Sequence, residues 1–199
     1  MQTAIEKSER PGALGIAEEL KVEARSGVEA VVRAMEASDP TVRYHCDRVA
    51  LLASDLAEAL GLSPGECVNV ELGASLHDVG KIAIPQQIVL KPGRLTTAER
   101  ELVAAHPAVG AEIIEPLRLP RTAVHVVLHH HERFDGAGYP AGLSGKGIPL
   151  AARIVAVVDA YDAMTSFRTY RRGSTPLEAL EELERCSGSQ FDPDIVAAF

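Results

Sequence analysis

The sequence predicts an all-α protein, a bundle of several helices, on three observations. The core must be built from Ala, Leu, Val and Ile, because 46% of the chain is hydrophobic but only 4% is aromatic, with no Trp. These residues recur in long segments with few alternating runs, the pattern of helices rather than half-buried strands. Pro and Gly punctuate the segments, and three of them open on capping signals, Ser63-x-x-Glu66, Thr96-x-x-Glu99 and Thr175-x-x-Glu178. At 199 residues the chain suits one globular domain with a short appendage.

Residues 1–14 are polar, carry Pro11-Gly12 and read as an arm. The apolar stripe Ile16, Leu20, Ala24, Val28, Val31 and Met35 predicts a helix that packs on the domain or on a second copy of the chain. Asp39-Pro40 breaks it, so residues 1–40 are an N-terminal arm and helix, and residues 41–199 the main domain. A second helix over residues 41–60 has an apolar face of Val42, Val49, Leu52 and Leu56, with His45 close by and Gly61 as its C-cap. With Ser63 as N-cap and Pro64 at the first helical position, a third helix runs to about Leu76 and delivers His77-Asp78 at its end. Thr96 opens a helix that continues through about Ile114, with His106-Pro107 inside it. The next, over residues 121–131, ends in His129-His130-His131. Residues 134–149 are a Gly- and Pro-rich loop, and residues 150–164 an apolar helix buried on most sides. Thr175 starts a helix ending near Cys186, and Asp192-Pro193 opens a last short one.

A net charge of −8 argues against a surface that coats a nucleic-acid polymer, but it leaves room for a small anion at a local positive site. Cys46, Cys67 and Cys186 are scattered and odd in number, as expected of buried thiols in a reducing compartment. No apolar run reaches bilayer-spanning length and no signal-peptide core is visible, so a cytoplasmic protein is expected.

Taken singly, each of the seven histidines reads as a surface or core residue; their distribution reads otherwise. Four helices each bring a histidine near an end or onto an apolar face, and a fifth buries Asp159 in an apolar run. An aspartate there is costly unless it is paired or metal-bound. Asp162 shares its face, so one of the two is expected to ligate and the other to orient a ligand.

His77-Asp78-Val79-Gly80-Lys81 resembles the HDxGK motif of the HD superfamily of metal-dependent phosphohydrolases. The string from His130 to Pro140, His-His-Glu-Arg-Phe-Asp-Gly-Ala-Gly-Tyr-Pro, is similar to the HHExxDGxGYP signature of its HD-GYP subfamily. Lys91-Pro92-Gly93, His106-Pro107, the run ending at Asp159, and Ala163-Met164-Thr165-Ser166 with Arg168, Tyr170 and Arg171 follow in family order. The resemblance implies a bundle of the HD-domain type and a phosphodiesterase that opens cyclic di-GMP to linear pGpG and onward to GMP. It implies two divalent ions, iron or manganese, held by His45, His77, Asp78, His106, His130, His131 and Asp159. Asp78 would bridge them, and a metal-bridging hydroxide would attack in line.

By the same resemblance Lys81 stabilises the scissile phosphate, Arg168 and Arg171 take the second phosphate or guanine edges, and Tyr139 rims the site. The GYP loop is a candidate contact for diguanylate-cyclase (GGDEF) domains. His125 and His129 are left structural. Thr41 stands where some family members place a glutamate that helps hold a third metal, which limits the expectation to two. The alternatives are a catalytically weak module that binds the dinucleotide or a partner, and a hydrolase of another cyclic dinucleotide.

Overall fold

The computed structural model describes residues 13–38, 42–166 and 173–199, with side chains in the first helix from Ser26 onward. The described residues are helical with no strand, save one isolated bridge between Ser187 and Phe191. Ten α-helices follow in order: α1 (Ala13–Ser38), α2 (Val42–Ala59), α3 (Pro64–Leu76), α4 (Gln86–Val89), α5 (Thr97–Ala104), α6 (His106–Ile114), α7 (Arg121–His129), α8 (Leu150–Thr165), α9 (Pro176–Arg185) and α10 (Pro193–Ala198). The three expected capping boxes are all formed, with Ser63, Thr96 and Thr175 each accepting from the backbone of its glutamate. No helix among the described residues is long and apolar enough to cross a membrane.

Two apolar clusters hold the bundle together. In the larger, Val49, Ala53 and Leu56 of α2 meet Val70 and Ala74 of α3, Ile154, Val155 and Val158 of α8, and Leu183 and Ile195 from α9 and α10. In the smaller, Met35 of α1 packs with Cys46, Leu76, Val79, Ile114 and Val127, and Val28, Val31 and Val32 lie against it. The described apolar face of α1 therefore packs on its own chain.

One expected element is divided. The helix foreseen from Thr96 through Ile114 is two, α5 and α6, with the break at Ala105. Pro107 explains it: proline has no N–H to give the carbonyl four residues back, and its ring crowds that carbonyl. The Val103 carbonyl thus loses its helical donor, and a new chain direction starts at His106. The helix expected to reach His131 also stops earlier, at His129. Between Pro85 and Pro92 the chain forms the short α4.

Candidate metal centre

Three of the histidines stand where helices end or begin, and that placement orients their rings. The last carbonyls of a helix lack intrahelical donors. His77, just past α3, gives its Nδ1 proton to the Ala74 carbonyl at 2.6 Å. His130, just past α7, gives its own to the carbonyls of Val126 (3.1 Å) and Val127 (3.0 Å). His106 bonds the Val103 carbonyl, stranded by Pro107, at 2.7 Å. A carbonyl only accepts, so each of these Nδ1 atoms carries a proton and Nε2 is left as the atom each ring presents to the interior. The fourth, His45, lies within α2 and donates from Nδ1 to Asp162 Oδ2 at 2.7 Å instead.

The four Nε2 atoms converge on Asp78. Its Oδ2 lies 3.5 Å from His77 Nε2 and 4.0 Å from His45 Nε2, while its Oδ1 lies 3.4 Å from His106 Nε2 and 4.0 Å from His130 Nε2. Asp159 Oδ1 closes the first side, 3.2 Å from His45 Nε2 and 3.8 Å from His77 Nε2. The ligand atoms fall into two groups, each within 4.8 Å of one another: His45, His77 and Asp159, and Asp78, His106, His130 and His131. His77, Asp78, His106 and His130 are buried. Leu76 and Val79, both fully buried, flank the His77-Asp78 pair; a buried leucine contributes about 2–3 kcal/mol, so the turn is pinned from both sides.

Glycine permits the close approach. A Cβ on Gly80 would sit 1.9 Å from the His106 carbonyl oxygen and 2.7 Å from the Gly110 nitrogen. The glycine of the HDxGK string thereby lets the turn bearing Asp78 press against the start of α6.

The electrostatics fit a cation. His77 Nε2 and Asp78 Oδ1 are buried without a hydrogen-bond partner, which is costly in a folded interior unless something else satisfies them. Burial, with His131 beside it, holds His130 well below the usual imidazole pKa; burial and His106 bring His131 down to about 4. Burial opposes the charge on His45, but hydrogen bonds to Asp159 and Asp162 lift it to about 9. Burial also opposes ionisation of Asp78, yet Lys81, His77 and His106 hold it well below the usual carboxylate range. The residues present can hold metal: imidazoles anchored at Nδ1 with Nε2 turned inward, where a metal ion would displace the proton that His45 otherwise keeps, ionised carboxylates, and no thiolate, since burial keeps the Cys46 thiol protonated.

Lys81 Nζ is bonded to Asp78 Oδ2 at 2.5 Å, and its side chain is 35% exposed, so it reaches both the cluster and solvent. Asp78 and Asp159 keep its ammonium above the ordinary value despite burial. Tyr139 lies on the ring of His131, centroids 4.9 Å apart. Arg168, Arg171 and Thr41 lie outside the described residues. His125 and His129 pair with each other, rings 5.9 Å apart, away from the two ligand groups. A cavity of about 420 Å³ between α9 and α10 is likewise remote from the histidines, lined by Leu183, Val196 and Phe199 among others.

Two contributions were not legible in the sequence. Asp162, the partner of His45, is itself gripped by Arg48, from Nε at 2.6 Å and Nη2 at 2.9 Å. Glu132 is buried, with His129 Nδ1 3.6 Å from its Oε1, and accepts from the backbone of Ala141 (2.7 Å) and Leu143 (3.1 Å), which ties down the GYP loop. The same fold-back requires Gly138, where a Cβ would meet the Arg133 nitrogen at 2.3 Å.

Comparison with known proteins agrees with this geometry. The HD domain family matches residues 29–195. The cyclic di-GMP phosphodiesterase response regulator RpfG of Xanthomonas campestris is 42% identical over 90% of this chain and 48% of its own length. A cyclic di-GMP phosphodiesterase of Thermotoga maritima is 40% identical over 82% of this chain and 45% of its own. The 3'3'-cGAMP-specific phosphodiesterase 2 of Vibrio cholerae is 38% identical over 83% of this chain and 32% of its own. The chain thus spans less than half the length of these curated relatives. In fold it is similar to Bd1817, an HDGYP protein of Bdellovibrio bacteriovorus (TM-score 0.66, 22% identity, 91% of this chain and 62% of that one). It is also similar to the HD domain of PgpH of Listeria monocytogenes, solved with cyclic di-AMP (TM-score 0.62, 20% identity, 85% and 91%). With its HDxGK and HHExxDGxGYP strings complete, this chain belongs to the HD-domain family of metal-dependent phosphohydrolases, in its HD-GYP group.

Proposed function

We propose that this chain is a metal-dependent phosphodiesterase that opens cyclic di-GMP to linear pGpG and onward to GMP. The observation that carries the reading is the position of Asp78, with one carboxylate oxygen toward each of two histidine groups. In this reading His45, His77 and Asp159 hold one divalent ion, His106, His130 and His131 hold another, and Asp78 serves both. Iron or manganese suits this nitrogen and oxygen shell. When bound, such ions supply an activated water and a clamp for phosphoryl oxygens.

The protein's own groups do the rest. Asp162 and the helix-end carbonyls keep the imidazole protons on Nδ1, so the Nε2 lone pairs stay directed inward. Lys81, kept charged at the edge of the cluster, stabilises negative charge as it builds on the phosphate. Tyr139, backed by His131, offers an aromatic face at the rim. Arg168 and Arg171 are assigned to the second phosphate or the guanine edges on their residue type, a planar fork of donors.

Cyclic di-GMP is favoured because relatives at 40–42% identity carry that name. A hydrolase of 3'3'-cGAMP is the second reading, since a relative at 38% is named for it. A module that binds without turnover is disfavoured by the full set of ligand positions. We also propose residues 41–199 as the catalytic unit, the GYP loop as the docking surface for diguanylate-cyclase domains, and a cytoplasmic setting, supported by three free thiols. A homodimer through α1 would use residues other than Val28, Val31, Val32 and Met35, which are packed in the chain. Metal-loaded protein incubated with each dinucleotide separately under reducing conditions should convert cyclic di-GMP to pGpG faster than it forms any product from 3'3'-cGAMP. Binding of both without product would overturn the enzyme reading.

A further inference from the structure

We infer that Arg48 is a positioning residue for the His45, His77 and Asp159 half of the centre: it fixes Asp162, and Asp162 fixes the ring of His45. The inference rests on the two-ion reading above and assigns a role to residues outside the ligand set.

His45 differs from the other three anchored imidazoles. His77, His106 and His130 are held by backbone carbonyls that the fold places for them. His45 depends on a side chain, and that side chain is a carboxylate buried in an apolar helix. Asp162 keeps its place and its charge through Arg48, whose Nε reaches Oδ1 at 2.6 Å and Nη2 reaches Oδ2 at 2.9 Å. Ser166 Oγ adds a bond at 3.1 Å, and Arg48 Nη2 also donates to Ser166 Oγ at 2.8 Å.

His45 and Arg48 lie one helical turn apart on α2, so both face Asp162 together. The grip uses the planar fork of arginine, which a lysine ammonium does not reproduce. Arg48 is half exposed, so its truncation opens no cavity in the core.

Binding of Mn²⁺ to the full chain tests this one half at a time. In a His106→Ala background the remaining Mn²⁺ reports the His45 half. Adding Arg48→Ala should weaken it about 10- to 100-fold, the range for partners behind metal-bound histidines, with Arg48→Lys in between. Asp162→Asn should do the same, because an amide can present N–H to His45 Nδ1 and reverse the tautomer. In an Asp159→Ala background, Arg48→Ala should leave Mn²⁺ affinity unchanged. Circular-dichroism spectra of the metal-free variants should match their parents, although loss of the ion pair with buried Asp162 lowers their melting temperatures.

Unchanged affinity in the His106→Ala background would overturn the inference. So would equal weakening in both backgrounds, or a loss of helix content in the metal-free variants, either of which would mean a general effect on the fold. If the wild-type chain binds a single Mn²⁺, the two-ion reading fails by itself. Weakening of that ion by Arg48→Ala would then still support the role of Arg48, and indifference would overturn it.

Discussion

Nε2 of His106 lies 3.2 Å from Nε2 of His130, and both rings have their Nδ1 proton committed to a backbone carbonyl. With both Nδ1 atoms engaged, neither Nε2 has a separate partner from the fold, and a metal ion between the two rings would satisfy both. Chelation should therefore destabilise the protein. At metal concentrations 100-fold above Kd, loading should add about 3 kcal/mol of unfolding free energy, read as a chelator-dependent fall in melting temperature.

Pro107 sets the ring of His106 through what it withholds. Pro107→Ala restores an N–H for the Val103 carbonyl and lets α5 and α6 join. That takes away the acceptor that orients His106. Metal affinity at the His106 half should fall about 10-fold, while helix content by circular dichroism holds or rises. Unchanged affinity would show that the carbonyl does not orient the ring.

The metal-free protein should be most stable near pH 6.5, the ordinary imidazole value. His131 titrates at about 4 when folded, so between pH 6.5 and 4 the unfolded chain takes up a proton that the folded one refuses, and stability falls with falling pH. His45 titrates at about 9 when folded, so its contribution is complete below pH 6.5 and is lost as pH rises through 9. Each limb is worth a few kcal/mol at most, by about 1.4 kcal/mol per pH unit. Denaturant midpoints across pH 4–9, taken in chelator, should trace this peak.

Glu132→Ala removes the acceptors of the Ala141 and Leu143 amides without touching a ligand nitrogen. Those two amides should lose hydrogen-exchange protection, and KM should rise more than kcat falls. Metal content should stay at the wild-type level. A loss of metal with the amides still protected would assign Glu132 to the centre instead.

The helices were legible because their signals are local. Capping boxes at Ser63, Thr96 and Thr175 act within four residues, and the HDxGK and HHExxDGxGYP strings are contiguous in the chain. The break at Ala105 was also a local signal, Pro107, but the helical pattern on both sides masked it. What the sequence could not display is long-range pairing. Arg48 meets Asp162 across 114 residues, and nothing in the spacing of either residue points to the other. Spacing alone leaves open which of Asp159 and Asp162 would ligate, and the family resemblance names Asp159; both share a face of α8, and the position of α2 decides which one His45 meets at Nδ1.

The role of Asp78 is tested most directly by counting divalent ions per chain, after anaerobic purification, in wild type and Asp78→Ala. The account predicts two ions in the wild type and a loss from both halves in the variant, with cyclic di-GMP turnover abolished. Two tightly held ions in Asp78→Ala, with product still formed at the wild-type rate, would contradict it.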